Sequence, residues 1–153
     1  LNQYIGKAFL KDILLYLDNK HHLRKVYYPG SGPDRNPVNT LGVDKVVNLN
    51  NPRIQLEKLG DAQKVVGDYS HNPFPNECFD ATLLFGIVIK KPSDIQEFVR
   101  ITKKGGFVVL GGDNGFLDQD IRRSCMEKLQ PFQLPADLRF TGSDRYCQVF
   151  QNQ

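Results

Sequence analysis

An α/β fold is expected, built on a mostly parallel central sheet with helices on both faces. Three observations predict it. Short apolar, β-favouring runs alternate with helix-spaced segments through most of the 153 residues, as in sheets whose strands are joined by crossover helices. The first such run, residues 24–28 (RKVYY), stops abruptly at Pro29-Gly30-Ser31-Gly32-Pro33, a strand followed by a glycine turn. Near the end, residues 137–141 and 145–151 read as two strands around Gly142, and so short a connection suits antiparallel neighbours.

Taken in order, Ile5, Phe9, Ile13 and Leu17 recur every four residues with Ala8 and Tyr16 beside them, one face of an amphipathic helix over residues 1–20. Asn19 and the His21-His22 pair fall at or after its end. Adjacent histidines do not share a helix face, so they read as a solvated turn rather than metal ligands. Pro37 leaves room for only a short helix over 34–40. Residues 43–49 read as a second strand, 52–59 as a short helix ending near Gly60, Gln63–Val66 as a third strand and 80–85 as a fourth. Ser93 with Gln96 three residues on suggests a capping box. Ile95, Phe98, Val99 and Thr102 then keep helical spacing, and Lys103-Lys104 before Gly105 suit a helix C-terminus. Residues 107–110 form a fifth strand. Asp118 or Asp120 opens a last helix with the stripe Ile121, Cys125 and Leu129, ending before Pro131. No boundary divides the chain, so one domain is expected, with a core over 24–151.

Composition narrows the function. Hydrophobic residues make up 40% and charged residues 24%, enough for a core without disulfides or metal. A net charge of +3 is too mild to indicate nucleic acid, and the pairs Lys90-Lys91, Lys103-Lys104 and Arg122-Arg123 are dispersed. Cys78, Cys125 and Cys147 are odd in number and have no zinc-ligand spacing, which points to a reducing, cytoplasmic setting. The longest near-apolar run, residues 81–89, is far short of the ~20 residues of a membrane helix. No signal-peptide pattern is visible, and an opening on Leu1 rather than Met is compatible with a trimmed or partial sequence.

In open α/β sheets the ligand sits beyond the carboxyl ends of the strands, where strand order reverses. Gly30, Ser31 and Gly32 occupy the first such end, and glycine lets backbone approach a ligand closely. A plain structural turn is the alternative. Asn50 stands 20 residues after Gly30, where nucleotide-binding sheets place an acid that holds ribose hydroxyls. Its amide oxygen can accept one hydrogen bond but carries no charge. Asp68 and Tyr69 end the third strand; the carboxylate can accept from an adenine amino group and the ring can pack on the base, or Asp68 is a turn cap. Phe85 ends the fourth strand, as a site residue or as core. His71 reads as a surface histidine. The loop Asn114-Gly115-Phe116 is a simple connection or an acceptor contact.

The stretch KVVGDYSHNPFPNECFDATLLF, residues 64–85, joins a strand, Gly-Asp, Pro-Phe-Pro and Phe-Asp before a second apolar run. It resembles the middle of a class I S-adenosylmethionine (SAM)-dependent methyltransferase domain of the type 11 kind. The run EFVRITKKGGFVVL, residues 97–110, is similar to that family's helix, Lys-Pro-Gly-Gly turn and fifth strand, with Lys104 where Pro is usual. The resemblance covers residues 24–151. It implies a Rossmann-like fold, with Gly30, Ser31 and Gly32 approaching the methionine part of SAM, Asn50 at the ribose, and Asp68 with Tyr69 at the adenine. Phe85 would border cofactor and acceptor.

The glycine motif is degenerate. Tyr28 stands where the family has Asp or Glu, Asp34 where it has a third Gly, and Asn50 where it has the ribose acid. Each lost charge-assisted hydrogen bond costs roughly 1.5–3 kcal/mol, so two weaken binding by about a hundredfold or more. Asp34 is a candidate to restore one negative charge near the SAM amino group. No catalytic base is evident, and methyl transfer relies mainly on orientation and exclusion of water.

Three readings follow. One is a SAM-dependent methyltransferase acting on a small acceptor or with a partner protein. Another is a methyltransferase-like interaction module that no longer binds SAM. The third, a nicotinamide dinucleotide site, is disfavoured because Arg35 stands where the dinucleotide fingerprint needs Gly or Ala.

Overall fold

The computed structural model describes residues 2–51, 56–87, 89, 91–112, 119–140, 142 and 146–153. Seven strands form one sheet in the order β3-β2-β1-β4-β5-β7-β6. They are β1 (Val26–Pro29), β2 (Val46–Asn50), β3 (Gln63–Val66), β4 (Phe79–Phe85), β5 (Thr102–Gly111), β6 (Gln130–Phe132) and β7 (Cys147–Gln151). The first five are mutually parallel, whereas β7 runs antiparallel to both β5 and β6. Strand order reverses between β1 and β4, which places the switch point at the ends Pro29 and Phe85.

Two helical layers cover the sheet, as the sequence predicts. On one face α1 (Asn2–His21) sets Leu10, Ile13, Leu14 and Leu17 against Val26, Tyr28, Leu83 and Val109, and α2 (Asn36–Leu41) adds Val38 and Leu41. On the other, α3 (Pro92–Ile101) and α4 (Gln119–Lys128) pack Ile95, Phe98, Ile101, Ile121 and Cys125 on Tyr27, Leu84, Val108 and Phe150. The faces follow from alternation along the strands: Val26 and Tyr28 point one way and Tyr27 the other. Burial pushes the Cys125 thiol up to about 12 and raises that of Cys147 further, as expected of core thiols. His22, at φ 56, ends α1 in a left-handed turn, and His21 lies against the Phe107 and Phe132 rings.

Of the two expected closing strands, the second forms as β7 and the first is corrected. Residues 136–140 form a short helix, α5 (Ala136–Phe140), not a strand; the expected limits 141 and 145 lie outside the described residues. Besides β5, β7 pairs antiparallel with β6, centred on Pro131, in place of the expected strand. Proline lacks the N–H a central strand needs, but β6 lies at the sheet edge, where one side of the ladder is not required.

The helix expected from Ser93 to Lys104 is also shorter. It starts at Pro92 with Lys91 as its cap and no side-chain cap bond, so the capping box at Ser93 is not formed. It ends at Ile101, where Thr102 Oγ1 donates to Phe98 O at 2.7 Å and Asn152 Nδ2 donates to Thr102 O at 2.9 Å. Residues 102–106 then bulge from β5: Phe79 pairs with Thr102, but Ala81 already pairs with Phe107. Lys103 reaches Asp80 at 3.3 Å instead of capping a helix. Of the short helix expected over 52–59, Leu56–Leu59 forms a 3₁₀ turn; residues 52–55 lie outside the described residues, as does the loop Asn114-Gly115-Phe116.

The Pro-Phe-Pro and Phe-Asp motifs have clear structural work. Phe74 meets Tyr27 and Phe79 edge-on, at 5.0 and 4.9 Å between centroids. Arg100 donates to Phe74 O and Asn76 Oδ1, both at 2.9 Å, and pairs with Glu97 at 2.8 Å. Asp80 Oδ2 accepts from the backbone N–H groups of Arg24 and Lys25, both at 2.9 Å, which fixes the start of β1 beside β4.

Candidate functional site at the sheet switch point

β1 delivers the chain into the glycine loop at the switch point. Gly30 and Gly32 both have positive φ, 61° and 55°, a conformation that glycine adopts without steric cost. A bond from Gly30 N–H to Leu49 O at 2.8 Å ties the loop to β2. At Gly30 an added Cβ would lie 2.9 Å from Ile87 Cγ2 and 3.7 Å from Tyr69 Cε1, so those side chains cover the loop's first residue. At Gly32 and at Gly86, which follows β4, an added Cβ would meet no atom of the described residues within 4 Å. Among the described residues, space is therefore open over the second loop glycine and over the end of β4.

Asn50 is 2% exposed and turned onto the loop. Its Oδ1 accepts from Gly32 N–H at 2.7 Å, and its Nδ2 donates to Ser31 Oγ at 3.0 Å. Parallel pairing of Tyr28 with Asn48 carries Asn50 to the level of the loop. A carbonyl oxygen has two lone pairs, but at 2% exposure a second donor reaches Oδ1 only if the loop shifts.

Tyr28 Oη donates to Asp34 Oδ2 at 2.6 Å, and Asp34 Oδ1 accepts from Asn36 N–H at 3.0 Å. The carboxylate that follows the loop is thereby drawn back to the Tyr28 hydroxyl at the end of β1. Asp68 caps the 3₁₀ turn Tyr69–His71: its Oδ1 accepts from Ser70 N–H at 2.9 Å, and His71 Nδ1 lies 3.9 Å from Oδ2. Its side chain remains 66% exposed, so the cap leaves the carboxylate open to solvent. Tyr69 lies between Gly30 and the Phe98 ring, 6.1 Å away.

Phe85 is 3% exposed and packs in the core on the α1 face. Its ring occupies the space over Gly111, where an added Cβ would fall 1.7 Å from Phe85 Cδ2. Gly30, Ser31, Gly32, Asn50, Asp68 and Tyr69 thus converge at the carboxyl ends of β1, β2 and β3, while Phe85 lies beneath the surface at the end of β4.

Two nearby features escaped the sequence reading. Ile87, which covers Gly30, is an apolar residue one position beyond the strand-ending Gly86. Asp94 is fully buried in the first turn of α3, where the helix dipole favours a carboxylate; the sequence signal was an acid two residues after Pro92. Below the site, Tyr27 Oη donates to Asn72 Oδ1. Burial chiefly, and then the negative charge of Asp68, raise the Tyr27 pKa, so the phenol stays protonated. Among the described residues no group of three or more His, Cys, Asp or Glu is placed to hold a metal, and no helix is long and apolar enough to cross a membrane.

Solved structures share this architecture. N-methyltransferase NodS from Bradyrhizobium japonicum superposes with a TM-score of 0.69 at 13% identity, over 99% of each chain. The fold is that of the class I SAM-dependent methyltransferases. A candidate SAM-dependent methyltransferase of Methanococcus maripaludis matches with a TM-score of 0.67 at 15% identity, over 95% of this chain and 86% of its own. A chain from the complex between the Haloferax volcanii Trm112 methyltransferase activator and a candidate methyltransferase matches at 0.63 and 13% identity, over 93% of each. The [4+2]-cyclase SpnF also matches, at 0.62 and 15% identity, over 81% of this chain and 57% of its own, so the fold does not fix the reaction. No family model matches the chain, and no curated protein matches it significantly.

Proposed function

We propose that this chain is a SAM-dependent methyltransferase acting on a small acceptor. The observation that carries the reading is the convergence of the glycine loop, Asn50 and the exposed Asp68 carboxylate at the switch point of a sheet with the methyltransferase strand order. The residues present suit the cofactor in three respects. Among the described residues, space is open over Gly32 and Gly86. Asp68 offers a solvent-facing acceptor suited to an adenine amino group. Asn50 Oδ1 retains a lone pair for a ribose hydroxyl once the loop shifts.

In this reading Gly30, Ser31 and Gly32 hold the methionine end of SAM with backbone groups. Tyr28 orients Asp34 so that its carboxylate faces the amino group, which replaces the acid missing at position 28. Tyr69 packs at the adenine, and Phe85 supports the floor between cofactor and acceptor from within the core. When bound, SAM supplies an electrophilic methyl group on a sulfonium. The chain's part is to orient the two reactants and keep water out.

A partner protein is a further source of acceptor contacts, in line with the neighbour solved together with its activator. A second reading, a module that keeps the fold without cofactor, is favoured by the satisfaction of Asn50 within the loop. Amide NMR distinguishes the two. On addition of S-adenosylhomocysteine, saturable shifts at Gly32, Ser70 and Gly86 support the methyltransferase. Shifts absent from these residues at millimolar ligand favour the second reading.

A further inference from the structure

A separate cleft lies at the far edge of the sheet. It has a volume of about 550 Å³ and sits between α4, β6, the segment following β6, and α5. In the strand order β6 is four places from β1, which at about 4.8 Å per strand puts the cleft roughly 19 Å from the glycine loop. The volume falls within the range of small-molecule sites, about 300–1,000 Å³.

The chemistry of the walls is selective. Among the described residues its charged lining residues are Arg122 and Arg139, both cationic, with no acid among them. Among the described residues neither guanidinium has a carboxylate within ion-pair distance; the neighbouring Arg123 takes Asp120 at 3.5 Å. Arg122 Nε donates to Gln148 Oε1 at 2.8 Å. That bond sets the plane of the guanidinium and leaves its two terminal amines for another acceptor. Phe132, Leu134 and Val149 supply an apolar floor; Leu134 and Val149 are buried. Two cations, one on α4 and one on α5, therefore line the same cleft as this apolar surface. A planar guanidinium matches a carboxylate or phosphate with paired hydrogen bonds. An added β-strand is a poor occupant, because β6 has only three residues and Pro131 at its centre offers no N–H.

We propose that this cleft is a binding site for a small organic anion, with Arg122 and Arg139 holding the anionic group and Phe132, Leu134 and Val149 holding an apolar body. The site is distinct from the switch point and stands whether or not SAM binds there. The test is titration of the whole protein with phenyl phosphate and with phenylacetate, followed by the amide shifts of Phe132 and Gln148. Arg122→Gln and the exposed Arg139→Gln are titrated in parallel. Saturable binding of either probe, weakened about tenfold or more in each variant, is expected for loss of a charge-assisted contact; the tighter probe identifies the anionic group. Arg139→Gln carries the test if Arg122→Gln fails to fold. Absence of saturable shifts with both probes at millimolar concentration, or binding unchanged in the variants, overturns the proposal.

Discussion

Replacing Gly111 with alanine gives the sharpest test of how the strand ends beneath the site are packed. Gly111 is buried on β5 opposite Phe85 on β4. Its φ lies outside the left-handed region, so alanine meets no backbone penalty there and any effect comes from the side chain. The new methyl would fall 1.7 Å from Phe85 Cδ2 and 2.1 Å from Cε2, well inside van der Waals contact. Phe85 is 3% exposed, so the ring cannot swing into solvent; it must leave its rotamer or part the two strands. Overpacking a tight core costs about 1–3 kcal/mol, and an overlap with a buried ring belongs at the upper end. A loss of about 3 kcal/mol in a domain of this size lowers the melting temperature by roughly 6–12 °C. Urea denaturation of Gly111→Ala, Phe85→Leu and the double variant measures it. If the ring is the obstacle, Gly111→Ala costs less in the Phe85→Leu background, with a coupling of about 1–3 kcal/mol. A loss below about 0.5 kcal/mol for Gly111→Ala, or strict additivity of the two changes, refutes this packing.

Other expectations follow from the same geometry. Asn50→Ala strands Gly32 N–H and removes the Ser31 contact. It should cost about 1–3 kcal/mol by denaturation and speed hydrogen exchange at Gly32. Arg100→Ala releases Phe74 O and Asn76 from their donor, which should cost about 1–3 kcal/mol and expose residues 72–77 to proteolysis. Burial raises the Cys125 thiol from its ordinary 9.0 to about 12. The unfolded chain therefore loses that proton first, and stability falls as pH rises from about 9 to about 12. The slope for one such thiol is about 1.4 kcal/mol per pH unit. Cys125→Ala should make stability less steep in that window in pH-dependent denaturation.

Most of the architecture was legible because the chain punctuates itself. Pro29-Gly30 ends β1, Gly67-Asp68 follows β3 and Gly86 follows β4, so strand ends fall where the backbone chemistry changes. The misread segments are those where tertiary contacts overrule a short pattern. Residues 136–140 are too few for a two-residue period to be told from a helical one. At residue 102 the helical spacing continues, but the Thr102 hydroxyl bond to Phe98 O and the reach of Asn152 end the helix first. In the sequence pattern Pro131 marks only the end of the last helix; the short strand across it forms because it lies at the sheet edge, where proline is tolerated.

The site shows the same division. The loop positions could be placed from spacing, since 20 residues of strand, turn and helix carry Gly30 to Asn50. Where the Asn50 amide points could not, because its bonds to Ser31 and Gly32 depend on the register of β1 against β2. The Tyr28 to Asp34 bond is likewise invisible in a linear reading.

The central claim is that the switch point holds SAM, and calorimetric titration tests it most directly. The protein is titrated with SAM and S-adenosylhomocysteine, with a nicotinamide dinucleotide as control, and Asp68→Ala is titrated alongside. The account predicts saturable binding of both adenosyl ligands, weakened in Asp68→Ala, and none of the dinucleotide. A well-folded protein that binds neither adenosyl ligand at millimolar concentration, or prefers the dinucleotide, contradicts it.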